Sequence, residues 1–181
     1  MAILEDSDGD IWFGTEGDGV FIYDKQLGKI LRPANDSEYN ILLKSSIKDL
    51  FQDSYENIWL ATEGTGLFKF NKGDKSLKYY GKKDGLPGEI VMAIEEDIAG
   101  NIWVSTYDGL SMLRKSGDSF SAFGTYDGLS SNEFNARTLI RLNDGNFLAG
   151  SMNGIDVFNP LSTSFNQNIP KILFTRLSIL N

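Results

Sequence analysis

The sequence contains neither cysteine nor histidine among its 181 residues. Without cysteine the chain has no disulfide scaffold, and this leaves the compartment open, because a cytosol and a bacterial periplasm both suit such a chain. Without histidine it forms no serine–histidine triad, no histidine-ligated zinc site and no histidine acid–base catalyst. We therefore expect no catalytic residue, no metal and no cofactor in this segment.

Long apolar runs and basic clusters are also missing. No stretch approaches the roughly 18 consecutive apolar residues of a membrane-spanning helix, and the first residues lack the basic and apolar parts of a signal peptide. The net charge is −8, from 17 basic and 25 acidic residues. Such a surface repels phosphate backbones and anionic lipids. We expect no nucleic-acid partner and no membrane insertion by this segment.

Glycines and aromatic residues are abundant, and they belong to an internal repeat. A turn of the form Asp-x-x-Gly-Asn, followed by Ile-Trp, recurs with a period of about 45 residues, as in propeller blades. The copies begin at Asp6, Asp53, Asp97 and, in a weaker form, Asn143. The tryptophans of the pattern are Trp12, Trp59 and Trp103, and Leu148 takes the equivalent place in the fourth copy.

Each copy predicts four short antiparallel strands. An apolar strand leads into the polar turn, the tryptophan strand follows, and a glycine turn precedes a third, alternating strand. The fourth strands are weaker, at Lys29–Leu31, Leu77–Tyr80 and Phe120–Phe123. A small residue two places after each tryptophan position predicts close packing there: Gly14, Ala61, Ser105 and Gly150. The sequence thus predicts an all-β fold, a β-propeller of about four four-stranded blades over residues 1–165.

The segment Asp97-Ile-Ala-Gly-Asn-Ile-Trp-Val-Ser-Thr106 resembles the two-component regulator propeller repeat. The turns that begin at Asp84 and Asp127 resemble the Gly-Leu-Pro-like turns of that family, and residues 128–135 resemble its last propeller repeat. Residues 170–179 resemble the entry into the β-sandwich (three-tyrosine domain) that follows the propeller. The resemblance implies a fragment of a seven-bladed propeller, with residues 166–181 as a terminal strand leading into that sandwich. Glu56 departs from the pattern because it replaces the turn glycine.

The same resemblance implies a role. It identifies the chain as part of the periplasmic sensor region of a hybrid two-component system of the Bacteroidetes type, an inner-membrane histidine kinase with a phosphorelay. Such sensors respond to glycan breakdown products, so an oligosaccharide ligand is implied. The implied partners are the adjacent propeller and β-sandwich domains of the parent and a second copy in a homodimer. This segment itself would be non-catalytic.

Three features of the repeat allow more than one interpretation. The tryptophans could stack on sugars, but their constant place in a strand favours packing between blades. The aspartates of Asp6–Asp10 suggest a calcium loop, but Ile11 and Gly17 occupy the places where an EF-hand needs glycine and glutamate, which favours a turn. The run Glu95–Asp97 could supply catalytic carboxylates, but neighbouring strand residues point to opposite faces, and we expect a solvated strand end.

The best candidates for ligand binding lie in loops on one rim of the propeller. In an antiparallel blade, the connections entering the first strand and those between the second and third strands share a face. Aromatic, amide and charged side chains in such loops suit a sugar or peptide site, although they could equally serve only to close turns. The candidates are Tyr39, Asn40, Tyr107, Tyr126, Asn132, Glu133 and Arg137.

Two other functions remain open. A propeller interaction module would dimerise or dock proteins through exposed blade faces. A propeller glycoside hydrolase or lyase would need facing carboxylates or a tyrosine nucleophile in the central funnel, and the sequence shows no such set.

Overall fold

The computed structural model describes residues 1–33 and 40–162. Within these ranges the chain forms strands joined by tight turns, with short 3-10 helices at Leu42–Lys44, Lys82–Asp84 and Thr125–Asp127. The strands are β1 (Ala2–Glu5), β2 (Ile11–Gly14), β3 (Val20–Asp24), β4 (Lys29–Leu31), β5 (Ile47–Gln52), β6 (Ile58–Thr62), β7 (Leu67–Phe70), β8 (Leu77–Tyr80), β9 (Val91–Glu96), β10 (Ile102–Thr106), β11 (Gly109–Leu113), β12 (Phe120–Phe123), β13 (Phe134–Arg141), β14 (Phe147–Ser151) and β15 (Gly154–Phe158).

The strands form four antiparallel sheets in which the order along the chain is also the order in space. Blade 1 is β1–β4, blade 2 is β5–β8, blade 3 is β9–β12, and blade 4 has three described strands, β13–β15. The first strands of successive blades lie side by side, β1 against β5, β5 against β9 and β9 against β13. This arrangement confirms the predicted all-β propeller. The predicted strand at residues 166–181 lies outside the described residues.

The hydrophobic core lies in the seams between blades. One cluster joins blades 1 and 2, a second joins blades 2 and 3, and a third joins blades 3 and 4. Trp12, Trp59 and Trp103 are only 2%, 1% and 1% exposed. Trp12 contacts Phe70 of the next blade at 5.4 Å between ring centroids, and Trp103 contacts Phe147 at 5.9 Å. The tryptophans therefore pack between blades, as the repeat predicts.

A carboxylate fixes each polar turn before a tryptophan strand. Asp6 Oδ1 accepts the backbone N–H groups of Asp8 and Asp10, both at 3.0 Å. Asp6 Oδ2 accepts the indole N–H of Trp12 at 2.9 Å. The Asp53–Trp59 and Asp97–Trp103 pairs repeat this bond at 2.7 and 2.9 Å. The sequence predicted the turn but not the carboxylate–indole bond, which ties the turn to the core of the blade.

The described ranges contain no group of three or more acidic side chains placed to hold a metal ion. In the first copy, the ammonium group of Lys72 lies where a metal cation would have to bind, 2.8 Å from Asp6 and 2.6 Å from Asp8. Burial alone would raise the pKa of Asp6, but the hydrogen bonds from Lys72 and Trp12 hold it below its ordinary value. The first copy is thus a structural turn.

Close packing at the small positions is also confirmed. A Cβ atom on Gly14 would lie 2.5 Å from Ile47 Cγ2, and one on Gly150 would lie 2.8 Å from Thr138 Cβ. Ala61 is fully buried at the same place in blade 2. Glu56, which departs from the repeat, adopts a φ of 64°, near the 83° of Gly9 in blade 1. The turn therefore keeps its shape and bears the modest strain of a non-glycine residue in the left-handed region.

Candidate functional site at the rim and the axis

The loops between second and third strands and the loops that enter the first strands lie on the same face of the propeller, and we call this face the rim. Each connection between a second and a third strand bonds to the loop that enters the next blade. Gly19 donates its N–H to the carbonyl of Ser45 at 3.1 Å, and Gly66 donates to the carbonyl of Glu89 at 2.9 Å. Gly109 donates to the carbonyl of Asn132 at 2.8 Å. These bonds hold the rim loops against each other.

Four predicted site residues occupy exposed or half-exposed positions on these loops. Tyr126 is fully exposed in its 3-10 turn, and Tyr107 is 41% exposed. Asn40 and Glu133 are also exposed, and the Glu133 carbonyl accepts the N–H of Met152 at 2.9 Å. Across the described part of the chain, no hydrogen bond, ion pair or ring contact joins these four side chains. Tyr39 lies outside the described residues.

Asn132 has a structural task at the rim. Its Oδ1 accepts the N–H of Thr125 at 2.9 Å, while its carbonyl accepts the N–H of Gly109. The side-chain oxygen also closes the space beside Gly124, where a Cβ would lie 3.0 Å from it. The amide therefore holds the loop that carries Tyr126, which is the turn-closing role that the sequence left open for these residues.

Arg137 lies in a bulge of β13 that reaches the axis of the propeller. The register with β14 jumps between Phe134 and Leu139, and Arg137 takes a φ of 57°. Its guanidinium donates to the carbonyl of Lys48 at 3.1 Å and to the carbonyl of Met1. One side chain of blade 4 thus bonds to the first strand of blade 2 and to the residue at the start of blade 1.

Arg137 belongs to a set of charged residues linked in pairs, which we call the axial cluster: Lys48, Asp49, Glu63, Glu95 and Arg137. Lys48 pairs with Glu63 at 2.6 Å, and Arg137 Nε lies 4.0 Å from Asp49. Burial raises the pKa of Asp49 to about 6, against the lowering effect of N–H groups donated by Ile94 and Leu50 and of the Arg137 charge. The cluster can therefore change charge in the mildly acidic range.

The run Glu95–Asp97 corrects one sequence-based expectation. Glu95 accepts the N–H of Arg141 in blade 4, whereas Glu96 accepts two hydrogen bonds from Ser54 in blade 2, at 2.8 and 2.6 Å. Neighbouring carboxylates do point to opposite sides, as predicted. The solvated strand end is wrong, however, because Glu96 and Asp97 are only 7% and 2% exposed. The Ser54 turn donates hydrogen bonds to Glu96, and the Trp103 indole donates one to Asp97, so both carboxylates are satisfied although they are buried.

A cavity of about 620 Å³ opens beside the rim on blade 2, between the loop that enters this blade at Ile41 and the loop that enters blade 3 at Glu89. The Tyr79 ring forms one wall, tilted against Phe68 at 5.4 Å. Glycines make room for this ring, because a Cβ on Gly66 would lie 3.0 Å from Tyr79 Cε2 and one on Gly81 would lie 2.7 Å from Cζ. The lining is Ile41, Gly64, Thr65, Phe68, Leu77, Lys78, Tyr79 and Glu89. Sequence reasoning missed Tyr79, although it alternates with the buried Tyr80 in a predicted strand.

The family model described as two component regulator propeller matches residues 1–17 and 85–108. These ranges hold the Asp6–Trp12 turn of blade 1 and the Asp97–Trp103 turn of blade 3. Two segments of the chain, one in blade 1 and one in blade 3, thus match the two-component regulator propeller repeat. Their aspartate–tryptophan turns account for the seams that give the propeller its core.

The similar proteins are much longer than this chain. The extracellular domain of a hybrid two component system, BT3049 from B. thetaiotaomicron, is 32% identical with a TM-score of 0.78, over 88% of this chain and 21% of that one. A second such domain, BT4673, is 22% identical with a TM-score of 0.70, over 89% and 24%. Histidine kinase P4 from Formosa agariphila is 28% identical over 110 residues, 61% of this chain and 8% of its own length.

Enzymes share the architecture as well. Virginiamycin B lyase from Staphylococcus aureus has a TM-score of 0.63 at 17% identity, over 88% of this chain and 55% of that one. At that identity the likeness concerns the fold alone. Within residues 1–33 and 40–162, no helix has the length and apolar character needed to cross a bilayer.

Proposed function

We propose that this chain is a non-catalytic, ligand-binding part of the extracytoplasmic sensor region of a hybrid two-component signalling protein. The observation that carries the proposal is the combination of regulator-propeller repeats with 32% identity to the extracellular domain of such a system. The parent would be a histidine kinase of the inner membrane, with this segment on the periplasmic side. The adjacent propeller and β-sandwich domains and a second copy of the parent would be its partners.

The ligand that we propose is a fragment of a broken-down glycan, bound at the rim. The rim cavity has the volume of a small-molecule site, and Tyr79 offers a ring face on which a sugar could stack. The Glu89 carboxylate and the exposed Asn40, next to the lining residue Ile41, add hydrogen-bonding groups on this side of the rim. Because the blades are rigid, a bound ligand would bias how the ring sits on neighbouring domains, which is a population shift between two arrangements.

The test is a titration of neutral oligosaccharides into the complete sensor region, followed by its melting temperature. A ligand that binds only the folded state raises the melting temperature. The Tyr79→Ala variant should lose this rise, since the stacking face is gone, whereas Tyr23→Ala, at the end of blade 1 away from the rim, should keep it. If no oligosaccharide shifts the melting temperature of the wild type, direct glycan sensing by this region is refuted.

The interaction module is a second candidate function, and the exposed blade faces favour it. In blade 4, Ile155 and Val157 are 70% and 64% exposed, and in blade 1 Ile3 is 58% exposed. The matching faces of blades 2 and 3 are buried in seams. Such faces suit docking of a neighbouring domain or a second copy.

A further inference from the structure

A second cavity, of about 330 Å³, lies at the seam of blades 2 and 3. It is at the end of the blades opposite to the rim, because the turns between first and second strands and those between third and fourth strands line it. The cavity gathers four cationic side chains in a protein whose net charge is −8. These are Lys69, Lys78, Arg114 and Lys115, with Asp53 and Asp118 as the acidic members of the lining.

Aromatic rings hold three of these cations in place. Lys69 Nζ lies 5.3 Å from the centre of the Trp59 ring, and Lys78 Nζ lies 4.7 Å from that of Tyr80. Lys115 Nζ lies 4.8 Å from the Tyr55 ring. A ring face orders an ammonium group without neutralising its charge. The N–H groups of these lysines therefore remain able to donate to a ligand.

The acidic groups of the lining do little to cancel this charge. Asp53 is buried, and its oxygens already accept hydrogen bonds from Tyr55, Asn57 and Trp59. Asp118 is almost fully exposed and lies 3.3 Å from Lys78, so water screens the pair. Among the described residues, Lys69 and Lys115 form no ion pair. A hydrogen bond with the Tyr55 hydroxyl raises the pKa of Lys115, which keeps it charged.

The corresponding cavity at the seam of blades 1 and 2 is balanced. Its charged lining consists of Asp6, Asp10, Asp24, Arg32, Lys72 and Lys75, three of each sign. Lys72 of blade 2 is equivalent in the repeat to Lys115 of blade 3. The charge of Lys72 is neutralised by Asp6 and Asp8. In the copy that forms the basic cavity, Tyr55 stands where Asp8 does and Asn57 stands where Asp10 does. The seam of blades 2 and 3 therefore lacks the acidic residues of these two turn positions, but it has the equivalent lysine, Lys115.

We propose that the cavity between blades 2 and 3 binds a small ligand through an oxyanion group, namely a carboxylate, sulfate or phosphate. The ammonium groups of Lys69 and Lys115 lie over rings in a concave site and form no ion pair among the described residues, although the charge of Glu96 also acts on Lys115. They supply charge-assisted donors to such a group. Tyr55 is partly exposed in the same cavity, and its ring could pack against a ring of the ligand that carries the anionic group. This site is separate from the rim, and it stands even if glycan binding at the rim fails.

The experiment is isothermal titration of the 181-residue chain at fixed ionic strength. The probes are sodium sulfate, sodium phosphate and a uronic-acid disaccharide, with a neutral disaccharide for comparison. We expect saturable binding of at least one oxyanion and none of the neutral sugar. Comparing the three anionic probes identifies whether the group is an inorganic anion or a saccharide carboxylate.

The variants separate a built site from general electrostatics. Lys69→Gln with Lys115→Gln should weaken oxyanion binding about tenfold or more, because two charge-assisted hydrogen bonds are lost. Lys25→Gln with Lys29→Gln removes the same charge from blade 1 and should change affinity less than about twofold. Lys115→Arg alone should retain oxyanion binding, because it keeps the positive charge at that position. Absence of saturable oxyanion binding, or an equal loss in the blade 1 control, would overturn the proposal.

Discussion

At the scale of single residues, the aspartate six places before each tryptophan links a surface turn to the core. Asp97 accepts the N–H groups of Ala99 and Asn101 and the indole N–H of Trp103. Blade 4 supports this view, because Leu142 and Leu148 stand at the aspartate and tryptophan positions together. An aspartate buried without its indole would lack a donor, and an indole without its aspartate would keep an unpaired N–H. The two residues therefore function as a pair.

This pairing predicts the effect of Asp97→Ala. The change leaves a buried indole and two turn amides without their acceptor, so the free energy of unfolding should fall by about 2–4 kcal/mol. Urea denaturation measures it. Asp144→Ala, in the turn of blade 4 that has no tryptophan, should cost less than about 1 kcal/mol. In the Trp103→Phe background the loss at Asp97 should shrink; an unchanged loss would mean that the indole bond contributes nothing.

Asp49 gives a prediction about pH. Its pKa is raised from 3.8 to about 6 in the folded protein. The folded state therefore binds this proton more tightly than the unfolded state, and the resulting stability, present below about pH 4, is lost as pH rises through 6. Relative to the wild type, Asp49→Asn should gain up to about 3 kcal/mol in free energy of unfolding between pH 4 and pH 7. Urea denaturation across that range measures the difference, and Asp118→Asn is the exposed control. A difference that does not vary with pH would contradict the raised pKa.

At the scale of strands and turns, a polar contact at the end of the first strand fastens blade 2 to a turn of blade 1 and blade 3 to a turn of blade 2. Gln52 exchanges two hydrogen bonds with Ser7, at 2.8 and 2.9 Å, and Glu96 accepts two from Ser54. The contact in blade 3 is partly buried and involves the buried, charged Glu96, whereas that in blade 2 is exposed and neutral. The seam of blades 2 and 3 should thus depend more on this contact.

Serine substitutions measure that dependence. Ser54→Ala removes a donor from the buried Glu96, and we expect the free energy of unfolding to fall by about 1–3 kcal/mol. Ser7→Ala removes the equivalent hydroxyl beside Gln52 and should cost at most about 1 kcal/mol. Amide hydrogen exchange should increase in β9 of the first variant. Equal costs for the two variants would show that burial of the contact makes no difference.

The same scale explains which parts of the fold are predictable from sequence. The bounds of β4, β8 and β12 agree with the prediction, since polar residues flank such short strands. The first strand of blade 4 begins at Phe134, and the repeat pattern does not mark this start, because the bulge at Arg137 breaks the alternation of apolar and polar residues. The rim loops follow from strand order alone. The roles of Tyr79, Asp49 and Lys69 cannot be predicted in this way, because the residues that contact them lie in other strands or other blades.

At the scale of the whole molecule, the two end faces differ from the seams inside. Val157 takes the place in blade 4 that Lys69 has in blade 2, and Phe13 takes the place in blade 1 that Leu60 has there. Leu60 is fully buried against blade 1, but Phe13 is partly exposed. No hydrophobic cluster among the described residues joins blade 4 to blade 1. The outer face of blade 4 is therefore equivalent to the side that an inner blade packs against the next blade, and the outer face of blade 1 is equivalent to the side that packs against the preceding blade.

These faces predict self-association of the 181-residue chain. A blade 4 face of one copy can cover a blade 1 face of another, which removes exposed side chains such as Ile155 and Val157 from water. Sedimentation should detect dimers or larger species, and Ile155→Lys with Val157→Lys should yield monomers, because charge at the centre of the contact stays unpaired. Ile98→Lys, a similarly exposed position in a turn, should leave association unchanged. A wild-type chain that sediments as a monomer at all concentrations would mean that these faces do not attract each other strongly enough to pair.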